Sequence, residues 1–171
     1  MDEKDGREAC AEMWLDAEQQ AAWRAVVQLL TKLPAALESD LQRTAGLTRY
    51  EYEVLSLLSE SGALTLQMSE LAAGTHASLS RLSHVVARLE RRGWVTRQAC
   101  PTDGRAFHAV LTESGLAKVV EAAPHHVRAV RELVVDALSP AQLRQLAAAA
   151  ARIGRRVDER TTTRAPEGTR R

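Results

Sequence analysis

Apolar positions recur along this chain at two different periods, and the change of period organises it. From about Leu15 to Ala45, Trp23, Val26, Leu30, Leu33, Leu37 and Leu41 return every third or fourth residue, so they share one helix face. Pro34 inside that run predicts a kink or a division. Thr48 and Glu51 then form a T-x-x-E capping box, in which each side chain satisfies a free backbone N–H at a helix start. Tyr52, Leu55 and Leu58 follow as the buried face, with Gly62 as terminator.

The next segments are shorter. "ALTL" (63–66) is long enough only for a bridging strand, and 67–74 reads as a short helix with Met68, Leu71 and Ala72 inward and Gly74 at its end. Thr75 is placed to cap a helix over about 76–92, so that 67–92 is a helix, a tight turn and a helix. After Gly93 the period becomes strand-like in 94–99 and 107–111, with the turn residues Pro101, Asp103 and Gly104 between them. Thr112 caps a further helix carrying Leu116, Val120, Ala123, Val127, Val130 and Val134, interrupted by Pro124. Ser139, Pro140 and Gln142 open a last helix with Leu143, Leu146, Ala150, Ile153 and Val157 on one side. The predicted fold is mainly α with a small β-hairpin wing: a winged helix-turn-helix over 46–111, helical dimerization regions over 13–45 and 112–157, a flexible acidic N-terminus over 1–12 and a disordered tail over 158–171.

The second helix of the pair raises a functional question. On a helical wheel Leu79, Leu82, Val86 and Leu89 gather on the core side, while Ala77, Ser80, Arg81, His84, Arg88 and Arg91 gather opposite. Small hydroxyls in the first turn allow close approach to a surface. An arginine forks onto guanine, and arginines farther along suit a phosphate backbone. Recognition helices read bases with their N-terminal residues, which singles out Ser78, Ser80, Arg81 and His84, with Arg88 toward phosphate. An ordinary solvated face is the competing explanation for such a row. The ordered context, short helix, turn, polar helix and basic hairpin, favours nucleic acid.

Charge sharpens this only locally. The net charge is +1, yet residues 75–105 hold six arginines against Glu90 and Asp103, while residues 1–20 hold seven acidic side chains. Cys10 and Cys100 are far apart and imply no disulfide framework. There is no apolar stretch long enough to span a membrane and no leader-like start, so a cytoplasmic protein is expected. No nucleophile elbow, HExxH or phosphate loop is present, which argues against an enzyme, and no cofactor or metal is expected; His125 and His126 make a poor metal pair.

Three segments, "LTRYEYEVLSLLSE", "MSELAAGTHASLSRLSHVVARLERRGWVTR" and "DGRAFHAVLTESG", together resemble the MarR-type (multiple antibiotic resistance regulator) winged helix-turn-helix transcription factors. The Asp103-x-Arg105 pair and the LT-x-x-G after it match family patterns. The resemblance implies a homodimer on an inverted-repeat site of double-stranded DNA, repression, and release by a small-molecule ligand. It implies that Arg105 enters the minor groove and that Asp103 orients arginines such as Arg97. Trp23 and His125 are the candidate effector contacts, on helices that would wall a ligand cleft. Two alternatives stay open: a redox-sensing regulator using Cys100 or Cys10, and a winged-helix protein-interaction module without DNA.

Overall fold

The computed structural model describes residues 14–99 and 106–163. The chain divides into two units between Val127 and Arg128. In the first, α1 (Ala17–Ala45) starts at Asp16, whose carboxylate accepts from the Gln19 amide at 2.8 Å while its own amide donates to the Gln19 side chain at 3.2 Å. Of the kink or division expected at Pro34, the division does not occur: α1 continues through it as one helix and ends at Gly46 in the left-handed region with φ 63°. α2 (Arg49–Glu60) carries the expected Thr48/Glu51 capping box.

Then follow β1 (Thr65–Gln67), α3 (Met68–Gly74), α4 (Leu79–Arg91), β2 (Val95–Ala99), β3 (Phe107–Leu111) and α5 (Glu113–Val130). β2 and β3 form the expected two-stranded hairpin. β1 adds to it, giving an antiparallel sheet in the order β1-β3-β2, with Thr65 opposite Val110 and Val95 opposite Leu111. Three residues suffice for β1 because the neighbouring strand satisfies its backbone. Leu55, Leu58, Leu71, Leu82, Val86, Leu89 and Val95 are fully buried, so α2, α3, α4 and the sheet close around one apolar centre.

The helix-turn-helix differs from the expected boundaries in one respect. Thr75 caps the end of α3 rather than the start of α4: its hydroxyl lies 2.8 Å from the Leu71 carbonyl. α4 begins three residues later, at Leu79, with Ser78 as N-cap. His76 in the turn has φ 50°, and the Ala77 amide donates to the Ala72 carbonyl at 3.0 Å. The turn therefore uses up the residues that helical periodicity alone would have assigned to α4.

The LT-x-x-G segment acquires a mechanical explanation. The Thr112 hydroxyl donates to the Gly93 carbonyl at 2.7 Å and accepts from the Gly115 amide at 3.0 Å. Gly115 packs so closely on the chain that a Cβ there would stand 2.1 Å from the Trp94 carbonyl oxygen. The junction between wing and α5 thus excludes any side chain at position 115.

One buried carboxylate ties α2 to α4. Glu51, only 3% exposed, accepts from the Thr48 amide at 2.9 Å and from Arg88 Nε of α4 at 3.2 Å, with Arg92 Nη1 at 4.0 Å. Arg92 also donates to the Gly46 carbonyl at 3.0 Å and lies over the Trp94 ring at 4.9 Å. On the other side, the Arg49 amide donates to Glu38 of α1 at 2.7 Å. Burial pushes the Glu51 carboxyl up, but the Thr48 amide, Arg88, the Thr48 hydroxyl and Arg92 outweigh it and hold the group below the ordinary carboxylate range.

In the second unit, residues 131–135 form a single π-helical turn before α6 (Pro140–Thr163). Ser139 and Gln142 cap α6 reciprocally, at 2.9 and 3.3 Å, with Pro140 at the first helical position as expected. The helix does not fray at Asp158 but runs through Thr163. Arg156 pairs with Glu159 at 3.4 Å and Thr161 bonds back to the Val157 carbonyl at 3.0 Å, local contacts that need no core.

Two stability measurements follow from these contacts. Gly115→Ala is expected to cost on the order of 3 kcal/mol in urea unfolding, because the obstructing atom is backbone and cannot rotate away. Glu51→Gln keeps a residue able to cap and removes the charge; at neutral pH it should cost about 2 kcal/mol. Because the folded carboxyl titrates lower than the unfolded one, its stabilisation is present above the unfolded value of about 4.5 and disappears as the pH falls through the folded value. The variant should therefore show a shallower loss of stability than the parent below pH about 4.5.

Candidate nucleic-acid interface

α4 presents Ser80, Arg81, His84, Arg88 and Arg91 as one exposed row, while Leu82, Val85, Val86 and Leu89 are buried on its other side. This is the division that the apolar spacing predicted, with one exception. Leu79 was expected in the core and is 54% exposed. It is the first residue of the helix and borders a cavity of about 380 Å³ with Met68, Phe107, Ser83 and Arg97.

The polar side chains are not a loose fringe. Ser78, Ser80, Arg81, His84 and Arg88 line an open groove of about 560 Å³ whose opposite wall is the N-terminal end of α2, with Thr48, Arg49 and Tyr50, and Glu38 of α1. Ser78 is partly committed: its hydroxyl oxygen accepts from the Arg81 amide at 3.2 Å and starts the helix. Arg88 is partly committed as well, since its Nε is held by Glu51. The Arg81 guanidinium lies over the Tyr50 ring, 4.7 Å from its centre. The Tyr50 hydroxyl is 3.0 Å from Thr75 Oγ1 in the turn between α3 and α4.

Tyr50 and Arg92 were not singled out by the spacing of apolar residues. Tyr52, expected on the buried face of α2, is only half-buried, while Tyr50 is buried. The capping box could have located Tyr50, because it fixes that residue at the second helical position, turned toward the helix-turn-helix.

The wing contributes what is described of it. Arg97 on β2 binds Glu90 of α4 through Nη2 at 2.7 Å and Nε at 3.0 Å. Those hydrogen bonds, against a small opposing effect of burial, hold the Glu90 carboxyl below its ordinary range. Arg97 is thus oriented by Glu90; Asp103, expected to do this, lies outside the described residues, as do Arg105, Cys100 and Cys10.

Of the candidate effector contacts, Trp23 on α1 is 56% exposed and His125 on α5 is half-buried. Its neighbour His126 packs against α2. His126 lies 4.7 Å from the Tyr52 ring, and its Nδ1 is buried without a hydrogen-bond partner among the described residues. Burial lowers its pKa, which Asp40 raises and Arg49 lowers further. Among the described residues no group of His, Cys, Asp and Glu could hold a metal ion, and no helix is long and apolar enough to cross a membrane.

Comparison with known proteins agrees with this geometry. The MarR family profile matches residues 47–107. The crystal structure of Sco3205, a MarR family transcriptional regulator from Streptomyces coelicolor in complex with DNA, is 42% identical, covering 82% of this chain and 88% of that one, with a TM-score of 0.81. AbsC, a MarR family transcriptional regulator from the same organism, is also 42% identical, covering 85% of this chain and 98% of its own, with a TM-score of 0.81. The transcriptional repressor MprA of Escherichia coli K12 is 27% identical over 138 residues, 77% of this chain and 78% of its own. With its winged helix-turn-helix, its polar groove and these relatives, the chain belongs to the MarR family of DNA-binding transcriptional regulators.

Proposed function

We propose that this protein is a homodimeric repressor that reads an inverted-repeat operator with α4 and leaves it when a small molecule binds. The observation that carries the reading is the groove in which Ser78, Ser80, Arg81, His84 and Arg88 converge on an open face of the helix-turn-helix. Sequence is read at base edges and position is fixed at phosphates. Ser80, Arg81 and His84 lie in the first turns of α4, the part of a recognition helix that meets bases. Ser78 accepts a bond at the helix start and can still donate one toward a phosphate. Arg88, steadied by Glu51, serves the phosphate backbone. Arg105 is assigned to the minor groove and Asp103 to orienting the wing, on the strength of the family pattern alone.

The dimer reading rests on faces that the chain leaves uncovered. The apolar stripe of α1 is buried at Leu41 but 64% exposed at Leu30 and 56% at Trp23, and on α6 Leu146, Ile153 and Val157 stay exposed. A second copy is the occupant that gives residues 13–45 and 112–157 a common purpose, and two-fold symmetry sets two recognition helices roughly 34 Å apart. An effector would act by preferring a different spacing. Trp23 and His125 are assigned as its contacts; the repressor among the relatives supports the direction of regulation, and the DNA-bound one supports DNA as the partner.

Binding is tested by mobility shift on DNA selected from the native genome: affinity should fall steeply with salt, and an unshifted probe would reverse the conclusion in favour of a protein-interaction module. Arg81→Ala should cost about 1–3 kcal/mol on the preferred fragment and relax base preference. Arg105→Ala should lose most on sites with a narrow flanking minor groove. Equal losses for both variants on selected and random DNA would refute this division of roles. A chain lacking 139–157 should sediment as a monomer and lose tight binding; a dimer of normal affinity would refute the assigned interface.

A further inference from the structure

We propose that Tyr50 is a positioning residue for DNA recognition: its ring is a fixed platform that holds the Arg81 guanidinium in the orientation from which it forks onto a base. The inference rests on the reading of Arg81 as a base contact and adds a cause for its selectivity. Arginine loses much rotamer freedom when it is fixed, so a side chain already held in place binds more tightly and discriminates more sharply than one that must be ordered on arrival.

The platform is itself held at both ends. The Thr48/Glu51 capping box fixes Tyr50 at the second position of α2. At the far end, the Thr75 hydroxyl lies 2.8 Å from the Leu71 carbonyl, to which it donates, leaving its oxygen to accept from the Tyr50 hydroxyl at 3.0 Å. Tyr50 is 8% exposed, so its ring edge is packed while one face lies beneath Arg81, 4.7 Å from the guanidinium carbon. Arg81 itself remains exposed and lines the groove with Ser80 and His84. A cation over a ring face is attracted by the ring's negative charge density, and this attraction uses none of the guanidinium's hydrogen-bond donors, which stay available to a base.

The orientation therefore depends on the electronic character of the ring, which can be changed without changing its shape. The test introduces Phe at position 50 and then a series of increasingly fluorinated phenylalanines, in the full-length protein. Binding is measured to the DNA fragment that the parent protein selects from the genome. Tyr50→Phe should bind within about two-fold of the parent, because the ring remains in place. Along the fluorinated series affinity should fall stepwise by about three-fold in total, and the same series in an Arg81→Ala background should be flat. A purely structural role for the ring would give the same response in both backgrounds. A flat series with Arg81 present overturns the inference, as does a rise in affinity, which would mean that the ring withholds the arginine. Either result leaves the base-contact reading standing if Arg81→Ala alone still weakens selected DNA. If Arg81→Ala costs nothing, the reading beneath fails, and this inference with it.

Discussion

The arrangement of α1, α2 and α4 depends on one carboxylate. Glu51 begins as a local device, satisfying a free amide at the start of α2, and the same group then accepts a long-range hydrogen bond from Arg88 of α4. A buried acceptor with strong donors from two helices cannot shift without leaving a charge unsatisfied, so it fixes register as well as proximity. Arg92 extends the link to the Gly46 carbonyl at the end of α1, and Glu38 returns it from α1 to the Arg49 amide. Three helices thus meet at the first turn of α2. That meeting point forms one wall of the polar groove.

Much of the fold was legible because its elements carry local rules. The capping boxes at Thr48 and Ser139, the strands at 95–99 and 107–111 and the apolar stripe of α4 are each written in a few neighbouring residues. The misreadings share a cause: they depend on residues distant in sequence. Thr75 looked like a start because it precedes an apolar run, yet the Leu71 carbonyl and the Tyr50 hydroxyl engage it as an end. β1 became a full strand only through β3, more than forty residues on.

The candidate site was legible as a row and not as a constellation. Periodicity placed Ser80, Arg81, His84 and Arg88 on one face, but it gave no sign that Arg88 is tied to Glu51 or that Arg81 rests on Tyr50. Both partners come from α2, and no spacing within α4 encodes them. Conversely, the sequence reading chose His125 of the adjacent pair, and the contact of His126 with Tyr52, made across two helices, was not encoded in their spacing.

The strand order has a consequence for how the reading head comes apart. β3 lies between β1, which leads into α3, and β2, which follows α4. The helix-turn-helix is therefore an excursion whose entrance and exit are fastened to the same central ribbon. Loss of that ribbon would therefore unfasten both ends at once, which couples the opening of the segment to the integrity of β3.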